Sequence, residues 1–201
     1  MGFGEHKLQH DQYLGLLFQD WRAASVNSEA KNSSQKDLIL TASVHYSPDL
    51  DSVSFAVESI RRNLDWVHVN TYDYHAPGWS NYTGAHAALY DPSSQANTDY
   101  GIGAWIGRGL PASKLVLGLP FYGYAWSLKN PNDSTIGAPV TGPAAISTNG
   151  GAMRYNQIKG YVRDMGPCRG YQNEGFLMPE RRSYLVILCG KSHMTTIGYF
   201  L

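Results

Sequence analysis

Residues 66–73 read WVHVNTYD and alternate between apolar and polar side chains with a period of two. This alternation predicts a strand with two different faces. The apolar face would carry Val67, Val69 and Thr71, and the other a more polar set, Trp66, His68, Asn70 and Tyr72. Buried polar groups need hydrogen-bond partners, so the polar set fits the interior of a barrel, near a cleft, better than a surface covered by a helix.

The segments around this strand repeat a pattern of helix followed by strand. Residues 38–46 are mostly apolar and predict a strand buried on both faces, and residues 115–121 predict another strand. Apolar spacings of three and four predict helices near residues 14–24, 53–60 and 102–106, the second capped by Asp51 or Ser52 and the third ended at Gly109. This order is typical of an α/β fold, a parallel sheet covered by helices.

The pattern changes after residue 126. Residues 127–152 are rich in Gly, Pro, Ser, Thr and Asn and show no period, whereas residues 155–165 predict a short amphipathic helix. Residues 167–182 are mixed, and residues 183–189 and 195–200 could each form a strand. We therefore expect the α/β repeat to end near residue 126.

Composition excludes several classes of protein. The 201 residues include 16 basic and 16 acidic side chains, so the formal charge is zero, and 43% are hydrophobic. A neutral chain without a basic stripe is not expected to bind nucleic acid, and the apolar share is too high for a disordered chain. We expect no membrane span and no secretory signal, since no apolar run is long enough and residues 1–10, MGFGEHKLQH, have no apolar core.

The two cysteines and the three sequons are weak indicators of function and cellular location. Cys168 and Cys189 could form a disulfide or remain two buried thiols, and neither has metal-ligand spacing. We therefore expect no zinc site, no other metal and no cofactor. Sequons at Asn32, Asn81 and Asn132 are compatible with a secreted ancestry.

Two groups of residues are candidates for chemistry. Tyr72 and Asp73 lie at the carboxyl end of a predicted parallel strand, where functional groups collect, although Asp73 could instead cap the following loop and Tyr72 pack in the core. An aromatic group could line a groove that binds sugar faces, or could form a plain hydrophobic cluster. Its members are Trp79, Phe121, Tyr122, Tyr124 and Trp126.

The sequence resembles the family 18 glycoside hydrolases, most closely the plant class V chitinases. The resemblance covers about residues 10–165 and is carried by residues 40–44 (LTASV), 64–79 (LDWVHVNTYDYHAPGW), 101–105 (GIGAW), 109–112 (GLPA) and 114–126 (KLVLGLPFYGYAW). It implies a partial (β/α)8 TIM barrel, about strands five to seven and their helices. The implied domains are a partial barrel over residues 1–126, part of an α+β insertion over residues 127–166 and a divergent tail over residues 167–201.

The resemblance also implies a chemistry. Family members cleave β-1,4 links between N-acetylglucosamine units, using the acetamido oxygen of the substrate as nucleophile and a glutamic acid as proton donor. By resemblance, Tyr72 would bond that acetamido oxygen, Asp73 would contact the sugar, and Trp79, Tyr122 and Trp126 would bind substrate. The expected partner is chitin or a chito-oligosaccharide, and the expected location is extracellular or vacuolar.

One departure from the family pattern shapes the expected function. The proton donor belongs to a D-x-x-D-x-D-x-E motif on the fourth barrel strand, and none of the five glutamates in this sequence follows that spacing. Residue 1 would correspond to the start of the helix after that strand, and Asn70 stands where the family usually has Met. We therefore expect a chitinase-like protein that is inactive alone. The alternatives are a non-catalytic chitin-binding or lectin-like remnant and a truncated gene product.

Overall fold

The computed structural model describes residues 3–31, 38–49, 56–130, 132–133, 135–147, 149–164, 175–180 and 183–189. The chain divides into two compact units. The first unit comprises Met1–Thr71 and Thr98–Gly118, and the second comprises Tyr72–Asn97 and Leu119–Leu201. The domain boundaries implied by the family resemblance remain a prediction.

The first unit contains the predicted alternation of helices and parallel strands. Its elements in chain order are α1 (Phe3–Lys31), β1 (Thr41–His45), α2 (Val57–Asn63), β2 (Trp66–Asn70), α3 (Thr98–Gly107) and β3 (Leu115–Leu117). The three strands form one parallel sheet in the order β1-β2-β3. The predicted α/β order is thus confirmed. Residues 50–55, which include the predicted cap of α2, lie outside the described residues.

The alternation in residues 66–73 has the predicted effect on burial. Val67 and Val69 are 0% exposed, whereas His68 between them is exposed. The prediction that residues 38–46 are buried on both faces was wrong, because Ser43 and His45 are exposed and only Val44 between them is buried. Those two polar residues occupy alternate positions, so β1 follows the same two-faced pattern as β2.

Helix α3 is tied to the end of β1 by its one tryptophan. Trp105 is fully buried, and its indole Nε1 donates a hydrogen bond to the carbonyl oxygen of His45 at 3.1 Å. The helix ends at Gly107, and Gly109 has a φ of +94°, a backbone conformation that glycine adopts without a steric penalty. The predicted helix and its glycine stop are confirmed.

The second unit is built on a long central strand. Strand β4 (Tyr122–Leu128) pairs antiparallel with β5 (Val140–Pro143), β6 (Ala152–Arg154) and β8 (Ser183–Cys189), while β7 (Gly175–Glu180) pairs with β8. Helix α4 (Tyr155–Asp164) follows β6 and agrees with the short helix predicted over residues 155–165. A fully buried ring, Trp126, packs with Tyr124 and Ala76 in the core of this unit.

Four strands of the second unit were not predicted, and the first is β4, which begins just after the strand predicted over residues 115–121. β5 and β6 fall in a stretch interpreted as having no period, and β7 falls in the mixed stretch after Pro167. β5 and β6 have four and three residues, too few to show an alternation, and they form because β4 offers them a partner. The predicted strand over residues 115–121 is also shorter, ending at Leu117 before Gly118 and Pro120. Strand β8 agrees with its prediction; Cys168 and residues 195–200 lie outside the described residues.

Two glycines of α3 provide a matched test of how closely this helix approaches β1. A Cβ at Gly101 would overlap the carbonyl oxygen of Tyr46, whereas a Cβ at Gly103 meets nothing within 4 Å. We expect Gly101→Ala to lower the free energy of unfolding by about 1–3 kcal/mol, because a backbone atom cannot move aside cheaply. Gly103→Ala should raise it by about 0.5–1 kcal/mol through helix propensity. Urea denaturation measures both, and equal changes at the two positions would contradict the close approach.

Candidate functional site

The loop that follows β2 begins with an unusual backbone conformation. Asp73 has a φ of +63° and is, among the described residues, the one non-glycine residue with a positive φ. Aspartate tolerates this left-handed region better than most residues, but the conformation still costs free energy. Strained residues of this kind cluster at functional sites, so the conformation marks Asp73 as a candidate site residue.

Two tyrosine hydroxyls converge on a single oxygen of Asp73. The hydroxyl of Tyr122 donates to Asp73 Oδ1 at 2.6 Å, and the hydroxyl of Tyr124 donates to the same atom at 3.0 Å. The two tyrosines are two residues apart on β4, so their side chains leave the same face of the strand. Tyr122 was a predicted site residue. Tyr124 was predicted only as part of the aromatic group, and its spacing from Tyr122 was the signal for its role.

A buried histidine completes the group. His86 is 1% exposed, and its Nδ1 lies 3.7 Å from Asp73 Oδ1. Its Nε2 lies 3.2 Å from the carbonyl oxygen of Tyr122. The main chain brings the residue there, since the Tyr74 N–H donates to the His86 carbonyl oxygen at 3.1 Å. We call Asp73, His86, Tyr122 and Tyr124 the Asp73 cluster.

His86 was not predicted as a site residue. Its only signal is a single polar residue among small ones, in the stretch Gly84-Ala85-His86-Ala87-Ala88. Small neighbours leave room for a ring to turn inward, and such a residue is hard to distinguish from a surface histidine without the fold.

The electrostatics of the cluster fix the protonation of three of its members. Burial raises the pKa of the Asp73 carboxyl, but the nearby His86 ring and the hydrogen bonds from Tyr122 and Tyr124 outweigh burial, and the pKa lies below its ordinary value. Burial and the neighbouring carboxylate both raise the pKa values of Tyr122 and Tyr124. At neutral pH the cluster therefore holds an ionised carboxylate and two neutral phenols that donate hydrogen bonds.

The remaining predicted residues stand at different depths around the cluster. The ring of Tyr72 is half-buried and meets the Tyr122 ring edge-on, with centroids 6.2 Å apart. Trp79 is 62% exposed and meets the Tyr124 ring edge-on at 6.3 Å. Trp126, by contrast, is 0% exposed. Substrate contact by Trp126 remains a prediction that would require the covering side chains to move.

The arrangement supports binding more readily than proton transfer. An exposed indole that contacts a neutral phenol, itself bonded to an ionised carboxylate, suits a ligand with both apolar faces and O–H or N–H groups. Asp73 is ionised and so is not a proton donor at neutral pH. Glu58, the one glutamate whose side chain lies in the described part of the chain, stands on α2 in the first unit, where hydrogen bonds from Arg61 and Arg62 lower its pKa to about 2.

Neither a metal site nor a membrane span is found within the described ranges. There, no three side chains of His, Cys, Asp or Glu are grouped closely enough to hold a metal ion. None of the helices over the same residues combines the length and the apolar character needed to cross a bilayer.

Comparison with known proteins gives consistent results. The model of the "Glycosyl hydrolases family 18" matches residues 5–190. A class V chitinase from Arabidopsis thaliana is 45% identical over 161 residues, which are 80% of this chain and 42% of that protein. The crystal structure of a class V chitinase from Nicotiana tobaccum matches with a TM-score of 0.81 and 37% identity, over 92% of this chain and 54% of that one. A mutant of the tobacco enzyme was crystallised with NAG4.

A further solved neighbour differs in its description. A chitinase-like agglutinin from Robinia pseudoacacia matches with a TM-score of 0.72 and 30% identity, over 94% of this chain and 54% of that one. The solved chitinases are TIM barrels, so the predicted fold class, a partial α/β barrel, is confirmed. The chain spans about two fifths of the Arabidopsis relative and about half of the solved neighbours.

The charge of Asp73 predicts a pH-dependent contribution to stability. Because the folded-state pKa is lowered, the ionised carboxylate contributes stability that is complete above the unfolded-state value of about 3.9 and is lost as the pH falls through the folded-state value. We expect Asp73→Asn to lower the Tm by a few degrees, equally from about pH 5 to pH 8, and by less below about pH 4.

Circular dichroism melting curves over this pH range measure the effect. Asp20→Asn is the control, since Asp20 is exposed on α1, and its curve should follow that of the parent protein. An Asp73→Asn deficit that persists unchanged at about pH 3 would show that ionisation of Asp73 is not what stabilises the cluster.

Proposed function

Because the chain belongs to the family 18 glycosyl hydrolases, we propose that its 201 residues supply the sugar-binding part of a chitinase-type glycoside hydrolase. The ligand class is an oligomer of β-1,4-linked N-acetylglucosamine. One observation carries the proposal: the ionised carboxylate of Asp73, held on one oxygen by the hydroxyls of Tyr122 and Tyr124, stands in the same unit as the exposed ring of Trp79.

Each part of this arrangement matches a part of the ligand. The indole of Trp79 offers a flat apolar surface for the CH-rich face of a sugar. Asp73 accepts hydrogen bonds from sugar hydroxyls or from an acetamido N–H, and bonds to a charged acceptor are the stronger kind. Tyr72, by family resemblance, donates to the acetamido oxygen. The crystallisation of the tobacco relative with NAG4 supports this choice of ligand.

On its own, this polypeptide is proposed to bind without cleaving. Protonation of the leaving oxygen by a positioned acid commonly contributes about 10²–10⁴-fold to the rate. The D-x-x-D-x-D-x-E motif that supplies this acid in the family does not occur in the 201 residues. Asp73, being ionised, does not replace it.

A second function is favoured by one specific similarity. The match to a chitinase-like agglutinin suggests a protein that binds chitin-type sugars as its whole function. Agglutination requires at least two sugar sites per particle, whereas the first proposal predicts one site per chain. The stoichiometry of NAG4 binding and the clumping of chitin-coated beads distinguish the two.

Family membership also leads us to propose where the protein resides. Family members are generally extracellular or vacuolar, so an antibody raised against these residues should detect the endogenous protein in the apoplast or the vacuole. A purely cytosolic signal would contradict this location.

Calorimetric titration with NAG4, together with mass spectrometry of the same mixture, tests the binding proposal. We expect binding with no shorter sugars released. Asp73→Asn should weaken binding by about 10–100-fold, the value of a hydrogen bond to a charged group. Trp79→Ala should weaken it by a similar factor through loss of the stacking surface.

Trp21→Ala is the matched control, because Trp21 is also an exposed tryptophan, 48% exposed on α1. It should leave the affinity unchanged. Two results would contradict the proposal. Absence of NAG4 binding by the folded parent would remove the sugar-binding role, and release of products that Asp73→Asn abolishes would show that the chain cleaves by itself.

A further inference from the structure

The ring of His86 is enclosed but incompletely bonded. It is 1% exposed, and its Nδ1 has no hydrogen-bond partner among the residues that the structure describes. Buried polar atoms without a partner are rare because they forfeit their hydration, so each one calls for an explanation. The nearest acceptor is Asp73 Oδ1, at 3.7 Å, just beyond hydrogen-bond distance.

Both ring nitrogens face acceptor oxygens. Nδ1 faces the carboxylate of Asp73, and Nε2 faces the carbonyl oxygen of Tyr122 at 3.2 Å. A neutral imidazole carries a single N–H, so either tautomer would point a lone pair at an oxygen. The doubly protonated ring donates in both directions and places a positive charge beside an ionised carboxylate. The other titratable groups found around this ring are the hydroxyls of Tyr122 and Tyr124, whose rings lie 5.2 and 5.3 Å from it.

The two tyrosine hydroxyls that already donate to Asp73 explain why His86 Nδ1 lies beyond hydrogen-bond distance of Oδ1. Oδ1 accepts from the hydroxyls of both Tyr122 and Tyr124, so its lone pairs are taken. If one hydroxyl turned to a sugar oxygen, an acceptor position on Oδ1 would become free. Nδ1 would then need to approach by less than about 1 Å to form a normal hydrogen bond.

We infer that His86 is a positioning residue, whose Nδ1–H holds Asp73 Oδ1 when a sugar takes over one of the tyrosine hydroxyls. The carboxylate then keeps its orientation while the ligand is bound. The Nε2 bond to the Tyr122 carbonyl fixes the His86 ring relative to β4. The strand that carries Tyr122 and Tyr124 therefore also holds His86 in place beside Asp73. As far as the ligand is concerned, this inference rests on the proposed function.

Two conservative substitutions separate the two ends of the ring. The amide nitrogen of asparagine reaches about as far as Nδ1, and that of glutamine about as far as Nε2. His86→Asn therefore keeps a donor near Asp73 and loses the bond to the Tyr122 carbonyl, whereas His86→Gln does the reverse. A merely structural histidine would tolerate Gln better than Asn, and a positioning histidine would show the opposite order in ligand affinity.

The experiment measures the Kd for NAG4 and the Tm for both variants, alone and combined with Asp73→Asn. We expect His86→Gln to weaken binding by about 10-fold and His86→Asn by less than about 3-fold, whatever the order of their Tm values. In the Asp73→Asn background, the effect of His86→Gln should fall below about 2-fold, because the group it supports is no longer charged. An equal or larger loss with His86→Asn, or a loss with His86→Gln that persists without the Asp73 charge, would overturn the positioning role.

A second measurement needs no sugar and so remains informative if NAG4 does not bind. The ¹⁵N shifts of the histidine ring, assigned by their absence in His86→Gln, report whether each nitrogen carries a proton. The parent should show a proton on Nδ1, the nitrogen that faces Asp73. An unprotonated Nδ1 in the parent would contradict the inference by itself, whereas failure of NAG4 binding with a protonated Nδ1 would count against the proposed ligand alone.

Discussion

Two phenol hydroxyls from one strand, both bonded to a single carboxylate oxygen, are the interaction on which the candidate site depends. Removing Asp73 from water disfavours its charge, and the nearby His86 ring together with the hydrogen bonds from Tyr122 and Tyr124 more than offsets that cost. The same bonds set the directions of the tyrosine rings, against which Tyr72 and Trp79 lie edge-on. The two-residue spacing of Tyr122 and Tyr124 on β4 therefore determines both the charge of the site and the placement of its aromatic rings.

Local patterns in the sequence carried much of the fold and part of the site. The alternation around Val67 and Val69 specified which face of β2 is buried, because a period of two leaves no choice of register once one face is apolar. The position of Asp73 at the end of that strand marked it as a candidate for the same reason that functional groups gather at strand ends in α/β folds. Tyr122 and Tyr124 are two residues apart, so their shared face can be predicted once both are known to lie on a strand.

What the sequence could not supply depends on partners far along the chain. Strands β5 and β6 are too short to carry a period, and they exist because β4 pairs with them. His86 reaches Asp73 through a loop whose path no local rule describes. Trp126 is a second example, in which the sequence suggested an accessible residue and the structure has a buried one. Its place in an aromatic run suggested a groove, but alternation on β4 does not reveal that its surroundings enclose it completely. The family resemblance implied the barrel and suggested the proposed ligand class, but it resolved none of these placements.

The left-handed backbone at Asp73 restricts which amino acids can replace it without a loss of stability. Most replacements there must adopt a conformation that their Cβ disfavours, and only asparagine, histidine and glycine escape much of that cost. Random mutagenesis would therefore return mostly destabilised variants at this position, and the residue would be classed as structural. Its chemistry becomes visible only among the few amino acids that can accept the same turn of the chain.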